Sequence, residues 1–130
     1  MSLAEHLASL ASRIAAEFKS CVRNSDPRLP RAWVSFGWVG NTIRVASSYN
    51  VASVRRLAAG QYRITFATPF IDADYCWLAF ARSSGNSGAV RVAIARATTD
   101  AKTPAYVDVA CATSSTTLGD TTEVNFVVYH

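Results

Sequence analysis

The chain has 130 residues, half of them hydrophobic and only 17% charged, with a formal net charge of +4. That length fits one domain, and the apolar content excludes an intrinsically disordered chain, which is poor in apolar residues and high in net charge. No run approaches the ~18 consecutive apolar residues of a membrane-spanning helix, and no signal-peptide pattern is visible, so the reading is a soluble, compact chain with no membrane insertion.

The first element predicted is a helix from about Leu3 to Val22, rich in Ala, Leu, Glu, Arg and Lys and free of Gly and Pro. Leu3, Leu7, Leu10 and Ile14 recur at the spacings of a heptad seam. Glu17 breaks the seam, Phe18 takes it over, and Cys21 or Val22 closes it. A helix of barely three heptads is marginal alone in water. It therefore packs on its own domain or bundles with copies of itself through Leu7, Leu10, Ile14 and Phe18. Such a bundle would bring several copies of Cys21 together, opening an intersubunit disulfide under oxidation, with a free thiol as the default state.

Residues 24–30 carry Pro27 and Pro30 among small polar residues, a linker signature. The expected organisation is a helical stalk over residues 1–23, this linker, and a body over residues 31–130.

From Arg31 the period changes from helical to two. Strands are predicted at Trp33–Phe36, Thr42–Ala46, Tyr49–Leu57, Gln61–Phe66, Tyr75–Ala81, Val90–Ile94, Val107–Cys111 and Glu123–Tyr129. Gly37 and Gly40-Asn41 read as bends, and Ala58-Ala59-Gly60 as a hairpin turn. On Tyr75–Ala81 both alternating sets are apolar, which predicts a strand covered on both faces. About eight strands with no helix between them make an antiparallel β-sandwich preceded by one N-terminal α-helix, a mainly β fold.

The charge is uneven. Residues 1–63 carry nine basic and three acidic groups, a net +6, and residues 64–130 carry four and six, a net −2. Only Arg55-Arg56 is a basic doublet, so the reading is an ordinary solvated surface with no nucleic-acid partner. No GxSxG elbow, GxGxxG loop or P-loop occurs. The two histidines, His6 and His130, stand at opposite ends, and Cys21, Cys76 and Cys111 contain no CxxC pair. No catalytic residue, cofactor or metal site is assigned. Asp72 and Asp74 would share a face if extended, as a glycosidase pair or calcium site requires, but read as turn-formers at the start of a strand. Cys76 and Cys111 fall on apolar strand faces and are expected to be buried. Trp33 and Trp77 are expected in the core. Trp38, between Gly37 and Val39-Gly40, is placed in a loop, open to two roles: stacking on a sugar ring or plugging a subunit interface.

Five segments carry a resemblance: Ala32-Trp33-Val34-Ser35-Phe36, Ile43-Arg44-Val45, Ser48 to Val54, Gly60 to Phe66, and Ile71 to Tyr75. In order and spacing they resemble a module of bacteriophage tail-fibre and related virion proteins. There, an AWV-F opening leads to an S-x-NV-x-S-V stretch, a G-x-Y-x-[VI]-x-F strand and a D-A-[ND]-Y turn. The likeness covers about a third of the chain. The segment Leu10–Lys19 also looks like the short helix that precedes such modules. Arg55-Arg56 depart from the uncharged or acidic residues more usual there, and the region after Tyr75 carries no such motif. The resemblance implies a virion component that is homotrimeric, associates with other virion proteins, projects from the particle and contacts the host surface, a surface glycan being a candidate partner. With no catalytic motif in the chain, no enzyme activity is expected. The rival reading is a carbohydrate-binding module of a bacterial protein, and a third is a glycan-degrading enzyme of the kind some phage fibres carry, working through Asp72 or Asp74.

Overall fold

The computed structural model describes residues 2–21, 26–83, 85, 88–114 and 116–130. The Cys21 side chain, Val22, and the linker residues Asn24 and Ser25 lie outside what it describes, and with them the expected closing of the stripe. Within the described residues, α1 (Leu3–Cys21) precedes eight strands: β1 (Ala32–Val39), β2 (Thr42–Tyr49), β3 (Val51–Ala58), β4 (Gln61–Phe66), β5 (Cys76–Arg82), β6 (Val92–Ile94), β7 (Tyr106–Ala112) and β8 (Glu123–Tyr129).

Helix α1 starts at a capping box. The Glu5 amide donates to the Ser2 hydroxyl at 3.2 Å and the Ser2 amide donates to the Glu5 carboxylate at 2.6 Å. Lys19 in the last turn complements the negative end of the helix dipole.

The strands form two four-stranded antiparallel sheets, ordered β2-β1-β8-β5 and β3-β4-β7-β6. The fold is a β-sandwich, as the period-two pattern predicts. Its core comes from alternate residues of the four central strands: Val34 and Phe36, Phe126 and Val128, Tyr62 and Ile64, Val107 and Val109, all at most 3% exposed. Phe36 and Tyr62 meet edge-on across the two sheets with centroids 5.3 Å apart.

Connections decide the register. Gly40 and Asn41 both have positive φ, 59° and 60°, between paired Val39 and Thr42, the two-residue hairpin turn whose twist suits antiparallel strands. Asn50, with φ 52°, turns the chain from one sheet to the other. Its side-chain amide donates to the Arg31 carbonyl at 3.1 Å and to the Thr68 carbonyl at 3.3 Å, and its oxygen accepts from the Thr68 amide at 2.7 Å. Asn is one of the few side chains that tolerates this backbone region.

Two expectations change. The predicted bend at Gly37 is strand interior, because the bare Cα lets the Thr122 backbone come against it, and the Trp38 amide donates to the Thr121 carbonyl at 2.8 Å. Strand β5 is covered on one face only: Trp77, Ala79 and Ala81 pack on the core, while Leu78 and Phe80 point outward and are exposed. It is β7 that is covered on both faces. Asp108 and Ala110, on its outer side, are buried where the segment before it folds back, the Asp108 amide donating to the Ala101 carbonyl at 2.8 Å.

Candidate interaction surfaces

The apolar stripe of α1 is uncovered. Leu3, Leu7, Leu10, Ile14 and Phe18 are 53–74% exposed, and every other described residue of the helix is exposed as well. Of the two outcomes the spacing allows, packing on its own body is therefore not the one adopted. The four residues singled out from sequence, Leu7, Leu10, Ile14 and Phe18, do form one stripe, with Leu3 at its start.

Trp38 is not in a loop. It is a half-buried residue of β1 packed against the core, with the Arg56 guanidinium 4.6 Å above its ring. Arg56 is held by Asp120 through Nε at 3.0 Å and a terminal nitrogen at 2.8 Å. Asp120 also accepts from the Gly60 amide at 3.0 Å and the Tyr62 hydroxyl at 2.8 Å. Burial pushes the Asp120 carboxyl up. The hydrogen bonds from Arg56, Gly60 and Tyr62, with the Arg56 charge, outweigh that and leave it below the usual carboxylate value. Burial, then the bond to Asp120, drives the Tyr62 hydroxyl well above its ordinary value. This cluster closes one end of the sandwich. Sequence reading missed it, because Arg56 and Asp120 are 64 residues apart.

The tryptophan that does reach the surface is Trp33, 37% exposed on the outer side of β1 and paired across the strands with exposed Tyr49. The two line a groove of about 840 Å³ together with Phe70, Ile71, Arg31 and His130. His130 lies 2.7 Å from an Asp72 oxygen, and its ring packs near Phe70 with centroids 5.9 Å apart. The same Asp72 oxygen accepts the Asp74 amide at 2.9 Å. That backbone bond first, then His130, holds the Asp72 carboxyl below its usual value. Asp72 is thus the turn-former expected, and Asp74 does not join it in a facing pair. The chain order hides the Asp72–His130 contact: β8 runs back beside β1 and delivers His130 to this groove.

Cys111 is buried as expected. Cys76 is exposed, because it shares the outward side of β5 with Leu78 and Phe80. No group of three or more His, Cys, Asp or Glu among the described residues could hold a metal ion, and no described helix is long and apolar enough to cross a membrane. No family model, curated protein or solved structure matches the chain.

Proposed function

We propose that this chain is a structural and adhesive virion component of a bacteriophage, a fibre or fibre-tip subunit without catalytic activity. It assembles as a homotrimer, joins other virion proteins and touches the host cell surface. The observation that carries the self-assembly is the stripe of α1. An isolated helix of 19 residues is barely stable in water, and this one leaves Leu3, Leu7, Leu10, Ile14 and Phe18 to solvent unless other helices cover them. The order of motifs from Ala32 to Tyr75 supports the phage assignment. In that resemblance the segments have distinct physical duties: Val34 and Phe36, then Tyr62, Ile64 and Phe66, supply the core. Asn50 makes the inter-sheet corner, and the Asp72 turn leads to buried Tyr75, whose hydroxyl donates to the Thr103 carbonyl at 2.8 Å.

A second reading, a carbohydrate-binding module, is favoured by the groove beside Trp33 and Tyr49. Flat aromatic surface takes the apolar face of a sugar ring, and Arg31 in the lining is a donor for hydroxyls. Light scattering at micromolar concentration separates the two. A trimeric mass is expected, together with competition of the purified protein against phage adsorption. A monomeric mass at every concentration overturns the fibre reading and leaves the module.

A further inference from the structure

We propose that the outer face of the β2-β1-β8-β5 sheet packs against a second copy of this chain. The inference rests on the self-association read above and names the body surface that shares in it. The pairing register sets Tyr49, Trp33, Val127 and Leu78 in one row across all four strands, each opposite the next. Phe80 stands in the adjoining row, opposite Asn125. Leu78 is 55% exposed and Phe80 77%, although their neighbours Trp77, Ala79 and Ala81 are turned to the core. A contiguous apolar face of this kind is a mark of an interaction surface.

Area selects a second copy as the occupant. The stripe of α1 offers five apolar side chains, which at about 60–120 Å² each yield at most about 600 Å². A stable interface buries about 800 Å² per partner. A chain that self-associates through α1 therefore needs further apolar surface, and this face carries it. The charges on this face include the Arg82–Glu123 pair at 2.6 Å and, on the edge strand β2, the outward Arg44 opposite Gly37. Once the helices bundle, the bodies are held at high effective concentration, and a modest sheet contact suffices.

The test uses the full chain carrying Leu78→Glu and Phe80→Glu together, with Ser53→Glu on the opposite sheet as control. Sedimentation over a concentration series reads the midpoint of assembly. The double variant is expected to raise that midpoint at least 100-fold with an unchanged circular-dichroism spectrum, and the control to leave it within threefold. An unchanged midpoint in the double variant, or an equal rise in the control, overturns the proposal. A second readout needs no body substitution. In a Cys21→Ser chain, Cys76 on this face should react with a thiol reagent at least tenfold more slowly at assembling concentration than at dissociating concentration. Equal rates overturn the proposal too. Ile14→Asp separates the two ideas. Dissociation by Ile14→Asp but not by the sheet variant refutes the sheet contact and keeps the stalk, and the converse refutes the stalk and keeps the sheet contact.

Discussion

Ile14→Asp is the sharpest perturbation of the proposed assembly. Ile14 lies mid-stripe with 60% of its surface in water. Full burial of such a side chain is worth about 1.5–3 kcal/mol, so covering its exposed fraction contributes about 1–2 kcal/mol per copy. Over three copies the lost burial alone removes about 3–6 kcal/mol, a factor of at least 100 in the association constant. The introduced carboxylates add to this. Each would lose hydration worth several kcal/mol inside a bundle, and like charges would converge on one axis. Sedimentation between 1 and 100 µM, at about those concentrations and low salt, should find the variant monomeric where the parent chain is assembled. Ile14→Asn supplies the control, since the difference between Asn and Asp isolates the charge. Asp also lowers helix propensity by a few tenths of a kcal/mol, roughly, which circular dichroism of α1 tracks. If parent and variant dissociate at the same concentration, the stripe is not buried between copies.

The remaining predictions concern the body. Asp120→Ala removes the acceptor of the buried Tyr62 O–H, whose oxygen still accepts the Thr121 amide at 3.3 Å, and removes the carboxylate that holds Arg56. The unpaired hydroxyl costs about 1–3 kcal/mol, and that loss is expected in urea unfolding. Tyr62→Phe should cost about 1 kcal/mol and be non-additive with it. Gly37→Ala drives a Cβ onto the Thr122 carbonyl and should cost about 2 kcal/mol or more, read as a fall in Tm. At low pH the sign follows from Asp100 and Asp120, both held below the usual carboxylate value when folded: hydrogen bonds from Arg96 lower Asp100 against its burial, and Asp120 is lowered as described above. Their stabilisation is complete above the unfolded value of about 4 and is lost as pH falls through the folded values, so Tm should drop steeply in acid. At high pH, burial pushes the Tyr75 hydroxyl up to about 12 and Tyr62 higher still. The folded state there favours the neutral phenols, so stability holds below about pH 10 and declines above it. Absorbance of phenolate should appear together with unfolding.

The helix, the strands and the inward face of most strands were legible in the chain. Alternation in Gln61–Phe66 and Glu123–Tyr129 places Tyr62, Ile64, Phe66, Val124, Phe126 and Val128 on common faces, and those faces are the core. The heptad spacing likewise sets Leu7, Leu10, Ile14 and Phe18 on one stripe, since a helix repeats every 3.6 residues whatever surrounds it. What covers a face is a different question. Tyr75–Ala81 reads as apolar on both sides, and β7 reads as apolar on one. Only the arrangement of neighbours shows that β5 leaves Cys76, Leu78 and Phe80 outward while the segment before β7 buries Asp108 and Ala110.

The same division holds for the side chains of chemical interest. Trp38 reads as a loop residue because Gly37 and Gly40 flank it. Gly37 is needed for the close approach of Thr122, which no local pattern records. Arg56, Tyr62 and Asp120 meet, as do Asp72 and His130, because antiparallel pairing joins positions about sixty residues apart. By itself the sequence determined the elements, their periods and hence which residues share a face, because these follow from backbone geometry within a few residues. Only the tertiary structure decided which faces stay uncovered and which distant groups meet, because both depend on the order in which strands lie beside one another.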